Sequence, residues 1–216
     1  MISRTLLLVS VAGSAVYMGT VGYQPYPGSA AIKGAAVGAL ALMAWRSRGG
    51  VRKDTGLLAL GLALAAFGDV LLDWDARMFA LGLAAFLLTH LVYIAVFARN
   101  RMPGQVGSTR ISAVVVVVIG AAALSIWIVP SVGVLAVPVV LYICALTGMV
   151  GSAIAFQGRW IAAGAVLFFI SDSLLAIHKF KMPVPARDYL VWSTYYLGQC
   201  GIALGWLGLP VALDRA

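Results

Sequence analysis

Eight apolar segments punctuate the chain, at about 4–22, 30–46, 55–74, 77–99, 109–129, 132–156, 159–178 and 189–210. Each is near the roughly 20 residues that a helix needs to cross a bilayer. The 30–46 segment is the shortest. Pro130-Ser131-Val132-Gly133 separates the fifth from the sixth and reads as a tight turn. Lipid offers no hydrogen bonds to a bare backbone, so spanning segments must be helices or strands of a closed barrel. Runs this long and uniformly apolar predict helices. The expectation is an all-α membrane protein of eight transmembrane helices, forming a single transmembrane domain over 1–216.

Composition agrees: 62% of the 216 residues are hydrophobic and 10% are charged, too apolar for a soluble domain of this length. The formal charge of +8 implies no nucleic-acid partner, because basic residues in a membrane protein mark cytoplasmic loops and lipid headgroups. Arg4, Arg46, Arg48, Arg52, Lys53, Arg99, Arg101, Arg110, Arg159 and Arg215 fall on the side shared by the termini and the even-numbered loops. Lys33, Arg77, Lys179, Lys181 and Arg187 fall on the other. Both termini are therefore expected to be cytoplasmic. The segment after Met1–Arg4 is read as the first membrane helix, not as a cleaved signal, because further spans follow. Spacings such as Gly34-Gly38 read as close helix packing. Cys144 and Cys200 lie in apolar segments and read as packing residues.

Two acids break this apolar pattern in the same local frame. Ala66-Phe67-Gly68-Asp69-Val70-Leu71-Leu72 lies in the third segment, and Phe169-Ile170-Ser171-Asp172-Ser173-Leu174-Leu175 in the seventh. A carboxylate in the hydrocarbon layer is costly and marks a functional site by default. The bland alternative is an acid hydrogen-bonded across helices for structure alone. The offset of four spans keeps the direction of travel, so the chain reads as two possible parallel repeats, 1–105 and 106–216. The next spans align loosely, Phe86-Leu87-Leu88-Thr89-His90 lying over Tyr195-Tyr196-Leu197-Gly198-Gln199.

At a rise of about 1.5 Å per residue, Asp69 lies about 8 Å and Asp172 about 9 Å below the outer ends of their spans. Asp73 is one turn further out on the face of Asp69. Tyr195, Tyr196 and Gln199 enter to about 9–15 Å by the same rise. His90 lies nearer the middle. Asp69, Asp73, Asp172, Tyr195 and Gln199 could line one polar cavity. Asp73 next to Trp74 also fits a plain interfacial position, and His90 a satisfied interhelical donor. His178 reads as interfacial. Lys179, Lys181 and Arg187 could meet a lipid phosphate or simply snorkel.

Other chemistries fit poorly. Two widely placed His exclude a three-His zinc site, though not a two-His, one-Asp site. There is no Gly-x-Ser-x-Gly elbow and no phosphate-binding Gly-Lys-Ser/Thr loop. No metal and no cofactor are expected.

The sequence is similar to a known family. Gly68-Asp69-Val70-Leu71-Leu72, then Phe79-x-x-Gly82-x-x-x-Phe86-x-x-x-His90-x-x-Tyr93, resembles the first signature region of the YhhN-type membrane proteins. Gly164-Ala165-x-Leu167-Phe168-x-x-Ser171-Asp172-Ser173-Leu174-Leu175-Ala176, followed by Lys179-Phe180, resembles the second, and Thr194-Tyr195-Tyr196-x-x-Gln199 the third. Asp73-Trp74-Asp75 adds two acids after the first motif. The resemblance implies an eight-helix lysoplasmalogenase-like fold. It also implies cleavage of the vinyl ether of a lysophospholipid to a fatty aldehyde and a glycerophospho-base. Other expected contacts are membrane lipids, in a bacterial-type plasma (inner) membrane, with nothing to fix an oligomeric state.

Vinyl-ether hydrolysis needs an acid to protonate the β-carbon and a group to stabilise the resulting oxocarbenium ion. Asp69 and Asp172 are the expected catalytic pair, with the acid unassigned. Asp73, His90, Tyr195, Gln199 and Lys179 are the expected substrate-binding residues. The competing class is a small-molecule or lipid transporter or binding protein that uses the same acids.

Overall fold

A computed structural model describes residues 3–24, 26–50, 52–101, 104, 107–156 and 158–208. Its elements are α-helices joined by short turns: α1 (Arg4–Thr20), α2 (Ser29–Arg46), α3 (Thr55–Trp74), α4 (Phe79–Arg99), α5 (Ser108–Ile128), α6 (Ala136–Ala155), α7 (Arg159–Phe180) and α8 (Arg187–Leu207). Helices therefore occupy all eight apolar segments. The end of the eighth segment at 209–210, and Arg215 of the charge argument, lie outside the described residues.

The tight turn expected at Pro130 is two 3₁₀ turns, Val129–Ser131 and Gly133–Leu135. Gly133 takes a φ of +62° there, where a side chain would be strained. The helical part of the sixth segment accordingly starts at Ala136, four residues later than the apolar run.

Among the described residues, six helical stretches are long and apolar enough to cross a membrane: Arg4–Tyr23, Thr55–Trp74, Ala76–Arg99, Ser108–Ser131, Gly133–Ala155 and Arg159–Phe180. The protein is an integral, multi-pass membrane protein. The remaining two helices are more polar. α2 holds Lys33 and Arg46 among small residues, and α8 holds Arg187, Asp188 and Gln199.

The chain divides into two compact units, Met1–Val96 with Ala203–Ala216, and Phe97–Ile202. In the first, α2 packs between α1 and α3. Leu40, Met43, Leu58 and Leu62 are wholly buried. Ser10 of α1 donates its hydroxyl to the Ala36 carbonyl at 2.6 Å, satisfying a polar group that lipid could not. α3 and α4 interleave through their glycines. A Cβ on Gly68 would lie 2.8 Å from the Phe86 ring, and one on Gly61 2.5 Å from the Tyr93 ring. The end of α8 is pinned to the start of α3, where Trp206 donates its indole N–H to Thr55 Oγ1 at 2.9 Å and Arg52 donates to the Trp206 carbonyl at 3.2 Å. Trp206→Phe leaves the Thr55 oxygen without this donor and is expected to cost about 1 kcal/mol, measured by thermal unfolding in detergent.

In the second unit, α6 packs against α5 and α7. Ala121, Ile128, Val132, Val139 and Ile143 form a buried cluster, flanked by Phe169 and Ile177 of α7. α7 and α8 meet along Gly164, Gly198 and Gly201 with almost no side chain between them. Val116, Ile119, Val137 and Leu141 point outward and are exposed, as lipid-facing side chains are.

Candidate functional site

The first unit gathers polar side chains near the end of α3. Asp69 is 1% exposed and lies 3.8 Å from the ammonium of Lys33, on α2. A carboxylate in an apolar surrounding is strongly disfavoured unless paired, and the lysine supplies the opposite charge. The Lys33 ammonium also lies over the ring of Tyr17, on α1, at 5.6 Å from its centroid. The Tyr17 hydroxyl donates to Asp73 Oδ1 at 2.9 Å. Gln24, in the connection between α1 and α2, donates its amide N–H to the same oxygen at 3.0 Å and to the Tyr17 oxygen at 3.0 Å. Asp73 Oδ2 is buried and accepts no hydrogen bond.

This arrangement follows from helix periodicity. Asp69 and Asp73 are four residues apart on α3 and share its face. That face meets α2, because Gly34 leaves room for Val70: a Cβ on Gly34 would come within 2.5 Å of it. Lys33, the neighbour of that glycine, is thereby brought to Asp69. His90, on α4, is wholly buried in the same unit.

The second unit holds the other expected residues. Asp172, on α7, accepts a hydrogen bond on Oδ2 from the Tyr142 hydroxyl of α6 at 2.5 Å. Its neighbour Ser171 donates to the Val191 carbonyl of α8 at 3.0 Å, tying the acid's helix to α8. Tyr195 is 4% exposed, packed edge-on to Phe168 at 5.2 Å and beside Trp192 at 5.6 Å. Gln199 is wholly buried one turn further along α8. Lys179 is exposed at the end of α7. Lys181 donates to Ser131 at 2.8 Å and sits 5.9 Å from the Trp127 ring. His178 Nδ1 accepts the Val184 N–H at 3.1 Å, a local turn contact.

Asp69, Asp73 and His90 thus belong to one unit, and Asp172, Lys179, Tyr195 and Gln199 to the other. Within the first, Asp69 and Asp73 are brought together with Lys33, Tyr17 and Gln24. Within the second, Asp172 is held by Tyr142.

The model of the YhhN family matches residues 28–206. The chain belongs to the YhhN family. Among relatives, it is 36% identical over 157 residues to a protein of Mycobacterium tuberculosis named lysoplasmalogenase. That alignment covers 68% of this chain, and the matched stretch spans 59% of the relative's length. It is 32% identical over 158 residues to human lysoplasmalogenase TMEM86B, covering 73% of this chain and 66% of that one. For the rat protein of the same name the figures are 30% over 188 residues, covering 87% and 76%. No solved structure is significantly similar.

In this YhhN protein the sequence reading missed four residues that contact the acids. Tyr17, Gln24 and Lys33 lie before the first signature motif, and Tyr142 lies in the unmarked sixth segment. Lys33 had a usable signal: a lone lysine one turn inside an apolar segment, where a buried charge needs an anion. The three aromatic or amide groups had none, because Tyr and Gln serve equally in interfacial belts and packing. Tyr142→Phe keeps the ring and removes only the hydroxyl. It is expected to lower stability in detergent by about 1 kcal/mol, the contribution of a typical hydrogen bond.

Proposed function

We propose that this YhhN protein is a lysoplasmalogenase-like hydrolase, cleaving the vinyl ether of 1-alkenyl lysophospholipids to a fatty aldehyde and a glycerophospho-base. The observation that carries the reading is that the family match over 28–206, with relatives named lysoplasmalogenase, includes both acids set within apolar helices. In this reading all eight helices span a bacterial-type plasma membrane, with both termini cytoplasmic and the halves 1–105 and 106–216 as parallel repeats. Lysophospholipid and membrane lipids are its partners.

The chemistry asks for a proton donor and a carboxylate. One carboxyl group transfers its proton to the β-carbon of the vinyl ether, forming a C–H bond and leaving an oxocarbenium ion. Water adds to the cationic carbon and gives a proton back to a carboxylate. The hemiacetal then splits into alcohol and aldehyde, with one water consumed and no net proton change. General acid–base catalysis of this kind suits carboxyl groups shielded from water. Asp69 and Asp172 take these two roles. Tyr195 and Gln199 position the ether oxygen or the water, His90 supports the substrate, and Lys179 meets its phosphate.

The test is a side-by-side assay of purified protein in detergent with a 1-alkenyl lysophospholipid and its 1-acyl analogue. Aldehyde from the first without fatty acid from the second is the expected result. No product from either, in folded protein, would sink the reading and turn attention to uptake assays.

A further inference from the structure

We infer that Asp73 is a headgroup-reading residue, its second carboxylate oxygen accepting the N–H of a primary ammonium such as that of an ethanolamine headgroup. This deepens the lysoplasmalogenase-like reading and rests on it for the identity of the ligand. The carboxylate is divided in function. Tyr17 and Gln24 both donate to Oδ1, at 2.9 and 3.0 Å, and fix the group's orientation. Oδ2 is buried and has no donor at all. A charged oxygen withdrawn from solvent without a hydrogen bond costs more than most folds tolerate, and such an atom calls for an explanation. A cationic donor from a ligand supplies one.

Position agrees with this. Asp73 is the penultimate residue of α3 and precedes Trp74, which is exposed. That is the level of lipid headgroups. Asp69 is one turn away, about 6 Å along the axis, in the direction the acyl-chain end of a lysolipid must take. A headgroup at Asp73 therefore places the glyceryl ether toward Asp69.

The discriminating chemistry is the N–H. A primary ammonium can donate to Oδ2. A quaternary choline nitrogen carries no hydrogen and leaves the oxygen as unsatisfied as before. The site thus favours ethanolamine over choline lysolipids.

The experiment measures binding of 1-acyl lysophosphatidylethanolamine and lysophosphatidylcholine by calorimetry to the full-length protein in detergent, alongside aldehyde release from the matching 1-alkenyl lipids. The wild type is expected to bind the ethanolamine lipid about tenfold more tightly, the value of one charge-assisted hydrogen bond. Asp73→Asn keeps an oxygen for Tyr17 and Gln24 but puts an NH₂ where Oδ2 was. It should bring the two affinities together by weakening the ethanolamine lipid alone. Asp75→Asn removes an equal charge two residues away, from an exposed pair with Arg77, and should leave the ratio unchanged. Equal affinities in the wild type, or a ratio that survives Asp73→Asn, would overturn the assignment. So would a ratio that Asp75→Asn abolishes equally, since that is a general surface-charge effect. Preferential binding without aldehyde release keeps this inference and removes the hydrolase reading. Aldehyde release without headgroup preference does the reverse.

Discussion

Under the proposed function, Asp69→Asn and Asp172→Asn are each expected to lower aldehyde release from a 1-alkenyl lysophospholipid by about 100- to 10,000-fold, the range that a general acid or base contributes. Asparagine preserves the volume and one acceptor oxygen, so the fold is expected to persist. In Asp172→Asn the remaining oxygen still accepts from Tyr142, on which the side chain's orientation depends. In Asp69→Asn the Lys33 ammonium loses its anion, but its side chain is 15% exposed and lies over the Tyr17 ring, which retains part of its stabilisation. Helical content and the elution profile in detergent report whether the variants are folded. A folded variant that keeps more than a third of wild-type turnover removes its residue from the mechanism.

The two acids are expected to differ in stability even if they agree in activity. Asp69 faces an ammonium, and Asp172 faces a neutral hydroxyl. Removing one partner of a buried ion pair costs more than losing one side-chain hydrogen bond. Asp69→Asn should therefore be the less stable of the two.

Helix positions were readable from the sequence because the signal is long and repeated. A run of some 20 apolar residues has one stable solution in lipid, and α3 occupies 55–74, the limits of its apolar run. Asp69 and Asp172 stand out for the converse reason: an acid in such a run is costly enough to need a partner, and each has one, Lys33 for Asp69 and Tyr142 for Asp172. What holds each acid was not readable. In the sequence Lys33 counts among the charges of one membrane side because it stands near a segment end, and only the packing of α2 on α3 through Gly34 brings it to Asp69. Tyr142 looks like any membrane tyrosine until α6 and α7 are seen side by side. Contacts between helices depend on rotation about each axis, which uniformly apolar segments do not encode because they have no polar face to orient them.

The α7–α8 seam is the clearest case, and it carries the largest expected stability effect. Gly164→Ala is expected to destabilise the protein by about 3 kcal/mol, and Gly164→Leu to prevent recovery of folded protein. A Cβ at Gly164 would stand 2.6 Å from the Gly198 carbonyl oxygen and 2.8 Å from the Ile202 amide nitrogen. From the other helix, a Cβ at Gly201 would stand 2.9 Å from Gly164 Cα and 3.0 Å from the Trp160 carbonyl oxygen. These obstacles are backbone atoms, so no rotamer change relieves the clash and the helices must separate. Separation would also disturb the surroundings of the candidate residues in the second unit. It would draw the Ser171 hydroxyl from the Val191 carbonyl and the Phe168 ring from Tyr195, so turnover should fall with stability. Gly120→Ala on α5 is the control: nothing lies within 4 Å of the added Cβ, and relief of the glycine entropy penalty should leave stability unchanged or raise it by about 0.5–1 kcal/mol. Thermal unfolding of both variants in one detergent decides the matter. Equal midpoints would mean that α7 and α8 are not held together at this seam.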